Sequence, residues 1–174
     1  LQDRNWDFEL EDERTNRQQF TFDAITENTF SNKVWPKAHP QEGKPIVLRD
    51  YQVEIINNFL ANPQGIQEVA TGAGKTIMTA ALSHSVEKYG RTIVIVPNKS
   101  LVTQTEVDYR NLGLDVGVYF GDRKELDKTH TICTWQSLNS LYKTNKNGKE
   151  WQSIINVTAI LVDEVHQAKA EVLK

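Results

Sequence analysis

The chain has 174 residues, 25% of them charged and 39% hydrophobic, with a formal net charge of −3. Its length suffices to bury a core in one domain with some chain to spare, and the single Cys133 excludes an internal disulfide and so a disulfide-stapled secreted scaffold. The mildly acidic balance excludes nucleic-acid binding by bulk positive charge, and the lack of a leader or of an apolar run near the roughly 20 residues that cross a bilayer points to a soluble, cytoplasmic protein with no membrane partner.

The first thirteen residues hold six acids against the single base Arg4, and Trp6, Phe8 and Leu10 alternate with them at the period of a half-buried strand. Phe20 and Phe22 alternate in the same way, so a hairpin turning through Glu11 to Asn16 is expected, packed on something else because a lone hairpin is marginal in water. Pro36, Pro40, Gly43 and Pro45 mark residues 30–45 as an extended linker, with a domain boundary near 45. From residue 46 the texture alternates between strand and helix. Asp50 caps a helix through Val53, Ile56, Phe59 and Leu60 that stops at Asn62-Pro63. A strand is predicted over 66–70, a helix over 76–88 ended by Gly90, and a strand over 92–96 whose β-branched run suits a position covered on both faces. A helix over 101–110, strands over 116–120 and 131–134, a short helix after Gln136 and a strand over 159–162 complete the series, with 143–149 as a solvated loop. Strands separated by helices imply βαβ units and a mostly parallel sheet with helices on both faces.

Ala70-Thr71-Gly72-Ala73-Gly74-Lys75-Thr76 falls between a predicted strand and a predicted helix. There Gly72 and Gly74 let the backbone curl with N–H groups facing inward, and the helix start adds a positive dipole end. Such a nest takes phosphate oxygens, with Lys75 reaching the β- and γ-phosphates and the Thr76 hydroxyl holding Mg²⁺. The strict pattern wants glycine five residues before Gly74, where this chain has Val69. The strand over 159–162 runs directly into Asp163-Glu164-Val165-His166. Asp163 at the end of that strand suits Mg²⁺ binding, Glu164 can accept a proton from the attacking water, and His166 would sense the γ-phosphate or a neighbouring lobe. An acidic pair after a strand also suits a plain helix N-cap.

These motifs resemble the superfamily 2 helicases and translocases of the DExH type, from about Val47 to Lys174. Leu48-Arg49-Asp50-Tyr51-Gln52 is similar to their adenine-reading segment, which assigns Arg49 and Gln52 to ATP, with Gln52 bonding the adenine edge. Residues 70–76 resemble motif I. Pro97 to Gln104 resembles motif Ia, Thr134 to Leu138 the next strand-contacting motif, and Asp163 to His166 motif II; Gly121-Asp122 stands where relatives often have paired glycines. The resemblance implies a RecA-like P-loop NTPase lobe, with Lys75, Asp163, Glu164 and His166 catalytic. Thr71, Gly72, Ala73, Gly74, Lys75 and Thr76 would hold ATP, and Thr76 and Asp163 the Mg²⁺. Pro97, Ser100, Gln104, Gly121, Thr134 and Gln136 would touch nucleic acid. The LRDYQ start and the Thr134-Trp135-Gln136 triplet are most similar to phage recombination and branch-migration helicases of the UvsW kind, which implies a DNA partner, single-stranded or branched.

Residues 1–45 would then be the end of an N-terminal accessory element plus linker, and 46–174 the first RecA-like lobe, stopping short of the next motif. A second lobe in cis beyond Lys174 is implied, so the chain by itself is expected to bind nucleotide weakly and turn over almost none. Rival readings are a double-strand translocase of the restriction or remodelling type, an RNA helicase, and a non-catalytic nucleic-acid-binding lobe. Arg123, Lys124, Lys128 and His130 either supply local positive charge for a strand or form an ordinary charged loop.

Overall fold

The computed structural model describes residues 20–37, 39–145 and 147–165. Its centre is a five-stranded sheet built from β1 (Thr92–Val96), β2 (Val116–Phe120), β3 (Arg123–Lys124), β4 (His130–Thr134) and β5 (Ala159–Val162), in the order β3-β2-β4-β1-β5. β2, β4, β1 and β5 run parallel, and only the two-residue β3 is antiparallel, on β2. All five residues of β1 are buried, and they divide by alternation. Val94 and Val96 join one core with Val116, Val118 and Ile132, while Ile93 and Ile95 join the other with Tyr119 and Cys133.

The helices α1 (Asp50–Ala61), α2 (Lys75–Val86), α3 (Lys99–Asn111), α4 (Trp135–Asn145) and α5 (Lys149–Ile155) cover those two faces. Ile56, Met78 and Val102 from α1, α2 and α3 enter the first core, and Leu141 and Ile154 from α4 and α5 the second. Among the described residues, no helix is long and apolar enough to cross a membrane.

Three local differences from expectation have physical causes. α3 begins at Lys99, earlier than predicted, because the Asn98 side chain accepts the Leu101 N–H at 3.1 Å and caps it. α4 reaches Asn145 and α5 starts at Lys149, which confines the expected loop to a short turn. The strand predicted over 66–70 forms no ladder; Ile66 is 82% exposed, and the outer edge of β5 carries no neighbour among the described residues. An apolar run becomes a strand only when its N–H and C=O groups find a partner chain.

Of the expected N-terminal hairpin, the limb with Trp6, Phe8 and Leu10 lies outside the described residues. Phe20 and Phe22 are irregular chain and place their rings 4.8 and 5.5 Å from that of Tyr89. The stretch read as an extended linker is folded instead. Val34 bridges Pro45, the Ile46 N–H donates to Lys33 O at 2.8 Å, and Ile25, Phe30, Ile46 and Leu48 are buried in the first core. Asn57 of α1 clamps Ile25 from both sides, accepting its N–H and donating to its carbonyl, each at 2.9 Å. These four apolar side chains gain more by burial than an extended conformation gives them.

Candidate functional site

Parallel strands place their C-terminal ends on one side of the sheet, so Pro97, Gly121, Thr134 and Asp163, each following or ending a strand, share an edge. The glycine-rich turn enters this edge from α2. Gly72 and Gly74 have φ of +81° and +84°, the left-handed region in which a side chain is strained, and Gly74 opens α2 directly. Ala73 N–H donates to Ala70 O at 3.2 Å and tightens the turn. The first N–H groups of a helix have no partner inside it. That end of α2 therefore presents free donors and a positive dipole end, a cradle for anions.

Lys75 and motif II are brought together across 88 residues of sequence, from Lys75 to Asp163. Lys75 Nζ lies 2.6 Å from Glu164 Oε1, with the two side chains about a quarter exposed at 28% and 23%. The hydrogen bond to Glu164, followed by the charges of Glu164 and Asp163, raises the lysine pKa despite partial burial. Burial first, then the adjacent Glu164, raises the pKa of Asp163, while Lys75 opposes both. The Asp163 N–H continues the β5 ladder to Ile95 O at 2.9 Å, which fixes the acid at the strand end. Glu164 has φ +53°, the one positive value among described non-glycine residues. Strain of this kind is held by surrounding structure and clusters at functional sites. Thr71, Lys75, Asp163, Glu164 and Val165 all line a cleft of about 950 Å³, which continues between residues 65–71 and β5 over apolar walls including Phe59, Met78 and Ile160. His166 lies outside the described residues.

The segment assigned to adenine is tied to the glycine-rich turn. Gln52 is 5% exposed; its Oε1 accepts the Arg49 N–H at 2.9 Å, and its Nε2 donates to Ala73 O at 2.8 Å. Arg49 donates from Nη1 to the Tyr51 phenol, which in turn donates to Ala73 O at 3.0 Å. Each end of the Gln52 amide thus makes one contact within the protein, with one N–H and one lone pair remaining. Tyr51, given no role by sequence reasoning, has a partner 22 positions away that local pattern does not reveal.

Of the residues assigned to nucleic acid, Ser100, Gln104, Gly121 and Gln136 are exposed and Pro97 is half-buried. Thr134 is 1% exposed, and its hydroxyl faces that of Ser137 at 3.1 Å and accepts the Ser137 N–H at 3.3 Å, capping α4. The nearby cations are committed to neighbours. Arg123 grips both carboxylate oxygens of Glu106 at 2.7 Å and also meets Glu125, Lys128 pairs with Asp115 at 3.5 Å, and Lys124 sits 4.1 Å from the centre of the Tyr119 ring. His130 is fully buried between Thr92 and Glu87. Burial lowers its pKa, outweighing the opposing pull of Glu87. Arg123, Lys124 and Lys128 fit the charged-loop reading, whereas His130 is a buried residue of β4 and fits neither. Cys133 is a buried strand thiol whose pKa burial pushes up to about 12.

Residues 45–174 match the family described as Type III restriction enzyme, res subunit. The chain belongs to this family. It is similar to the DNA 3'-5' helicase XPB of Mycobacterium tuberculosis, at 31% identity over 79% of this chain and 26% of that protein. The DNA 3'-5' translocase XPB2 of Sulfurisphaera tokodaii is 32% identical over 72% of this chain and 26% of its own length. The ATP-dependent DNA helicase uvsW of Enterobacteria phage T4 is 30% identical over 68% of this chain and 24% of its own length. The chain therefore spans about a quarter of the length of these curated relatives. Two crystal structures of UvsW from bacteriophage T4 superpose with TM-scores of 0.56 and 0.58 at 18% and 19% identity, covering 87% and 85% of this chain and 65% and 36% of theirs. The fold is that of the N-terminal RecA-like lobe of superfamily 2 helicases.

Proposed function

We propose that this chain is the first motor lobe of an ATP-dependent DNA helicase or translocase, and that its motif I and motif II residues bind and hydrolyse ATP. The observation that carries this reading is the meeting of Lys75 with Glu164 beside Asp163, at a glycine-rich turn that opens a helix. Lys75 would take the β- and γ-phosphates together with the N–H groups of the turn. The oxygen donors Thr76 and Asp163 suit Mg²⁺. No group of three or more His, Cys, Asp or Glu among the described residues could hold an ion, so it would be shared with the phosphates. Bound there, Mg²⁺ neutralises charge on the phosphate oxygens.

Glu164 pairs with the lysine. An arriving γ-phosphate would compete for that lysine and release Glu164 to orient water and accept its proton, the base role proposed for it. A strand would lie along the edge with Pro97, Ser100, Gln104, Gly121 and Gln136, held by amides and hydroxyls rather than net positive charge. The Thr134 hydroxyl, committed to its cap, would position that helix start rather than touch the strand. DNA as partner is supported by the DNA helicase and translocase names of the relatives. A second lobe in cis, supplying arginines to the γ-phosphate, is proposed from the same resemblance. We place the lobe at 46–174 and treat 1–45 as an accessory element, whose stretch over 30–45 is folded rather than an extended linker and which joins the lobe's core through Ile25 and Phe30.

Glu164→Gln in the full-length protein tests the reading. DNA-stimulated ATP hydrolysis is expected to fall by at least about 100-fold, the scale of a lost general base, while DNA binding persists. Unchanged hydrolysis would refute the role of Glu164.

A further inference from the structure

Two side chains of α1 converge on a single carbonyl of the glycine-rich turn. Tyr51 donates its phenolic proton to Ala73 O at 3.0 Å, and Gln52 Nε2 donates to the same oxygen at 2.8 Å. A carbonyl oxygen has two lone pairs, and these two donors use both. A further layer orients the donors themselves. Arg49 Nη1 donates to the Tyr51 oxygen at 2.9 Å, which leaves the phenol's one proton for Ala73. The Arg49 N–H donates to Gln52 Oε1 at 2.9 Å, so Nε2 is the end of the buried amide that faces the turn. A Cβ on Gly74 would lie 2.5 Å from Gln52 Nε2, so the approach needs glycine at that position.

A trans peptide is planar, and its C=O and N–H point to opposite sides; no cis bond occurs among the described residues. Drawing the Ala73 carbonyl toward α1 therefore aims the Gly74 N–H away from α1, at the mouth of α2. Turned over, the same peptide would present its carbonyl there and repel an anion. We propose that Tyr51 and Gln52 are positioning residues that lock the Ala73–Gly74 peptide so that the Gly74 N–H faces a phosphate oxygen. The ligand they serve is the polyphosphate chain, whatever base it carries. This inference rests on the nucleotide reading above and gives Gln52 a task other than recognising adenine.

The test is equilibrium titration of wild type, Tyr51→Phe and Gln52→Met with ATP, GTP and tripolyphosphate, each with Mg²⁺, alongside thermal melting without ligand. Tyr51→Phe removes one donor from a half-exposed ring. It is expected to weaken all three ligands by a common factor of about threefold to tenfold, the scale of one net hydrogen bond, with a melting temperature close to wild type. Gln52→Met is expected to weaken all three in parallel as well. Loss confined to ATP would identify an adenine contact and overturn the proposal. Wild-type affinities in Tyr51→Phe would overturn it while leaving the nucleotide site intact. Failure of the wild type to bind any of the three would instead refute the nucleotide reading, and the proposal with it.

Discussion

Glu106 shows at the residue scale how charge is used away from the phosphate site. It sits on α3 at 8% exposure and is gripped by Arg123 and Arg110. The Arg123 hydrogen bonds come first among the influences on its carboxyl, burial opposes them, and the net effect lowers its pKa to about 2 from the ordinary 4.5. A carboxyl held below its unfolded value stabilises the fold at pH above about 4.5 and loses that contribution as pH falls toward 2. Glu106→Gln should therefore destabilise the protein by about 2 kcal/mol at pH 7, and denaturant melts should show the gap from wild type closing between pH 4.5 and 2. A gap independent of pH would mean that the ion pairs do not set it. The same pairing explains why charge pattern alone leaves two readings of this segment open. Arg123 is a cation in sequence and a neutralised one in the fold, because Glu106, 17 positions away, faces it.

At the scale of elements, the two glycines of motif I are not equivalent. Both need positive φ, but a Cβ on Gly72 would meet nothing within 4 Å, whereas one on Gly74 would displace Gln52 and touch Ile77 at 3.3 Å. Gly72→Ala should cost about 1 kcal/mol for the left-handed backbone alone. Gly74→Ala should cost about 3 kcal/mol, adding contacts and hydrogen bonds lost between α1 and the turn; equal costs in urea melts would contradict this difference. Most elements were legible because their pattern is local. The β-branched run of β1 and the strand entering Asp163 each carry their own signal, whereas the cap expected at Asp50 falls one residue earlier at Arg49, whose N–H is taken by Gln52, and Asp50 is the first helical residue. What stayed illegible depends on partners distant in sequence. The apolar run over 66–70 has a strand's composition but no ladder neighbour among the described residues. Residues 30–45 read as linker from their prolines, although Phe30 is buried in the first core and Val34 bridges Pro45. Within the site, Lys75 and motif II were legible from motif spacing. The Tyr51–Gln52 grip on Ala73 was not, since an amide beside a phenol carries no mark of which carbonyl it will meet.

The described residues build a mostly parallel sheet that gathers strand ends and one helix start on a single edge, with helices packed on both faces. Net charge of −3 is compatible with a polyanion on that edge, because amides, hydroxyls and a helix start can hold phosphates without a basic chain, although Arg123 and Lys128 are paired with acids and Lys99 and Lys124 lie against aromatic rings. Among the described residues, what the fold offers a phosphate ligand is local: the N-terminus of α2 and Lys75, which pairs with Glu164. Binding of ATP with Mg²⁺ to wild type and to Lys75→Ala, followed by calorimetry, tests this account most directly. Saturable binding by wild type that weakens at least about tenfold in Lys75→Ala, as expected for losing a charged phosphate contact, with both proteins melting alike, is the predicted result. Equal affinity in the two proteins, or no saturable binding by wild type, would contradict it.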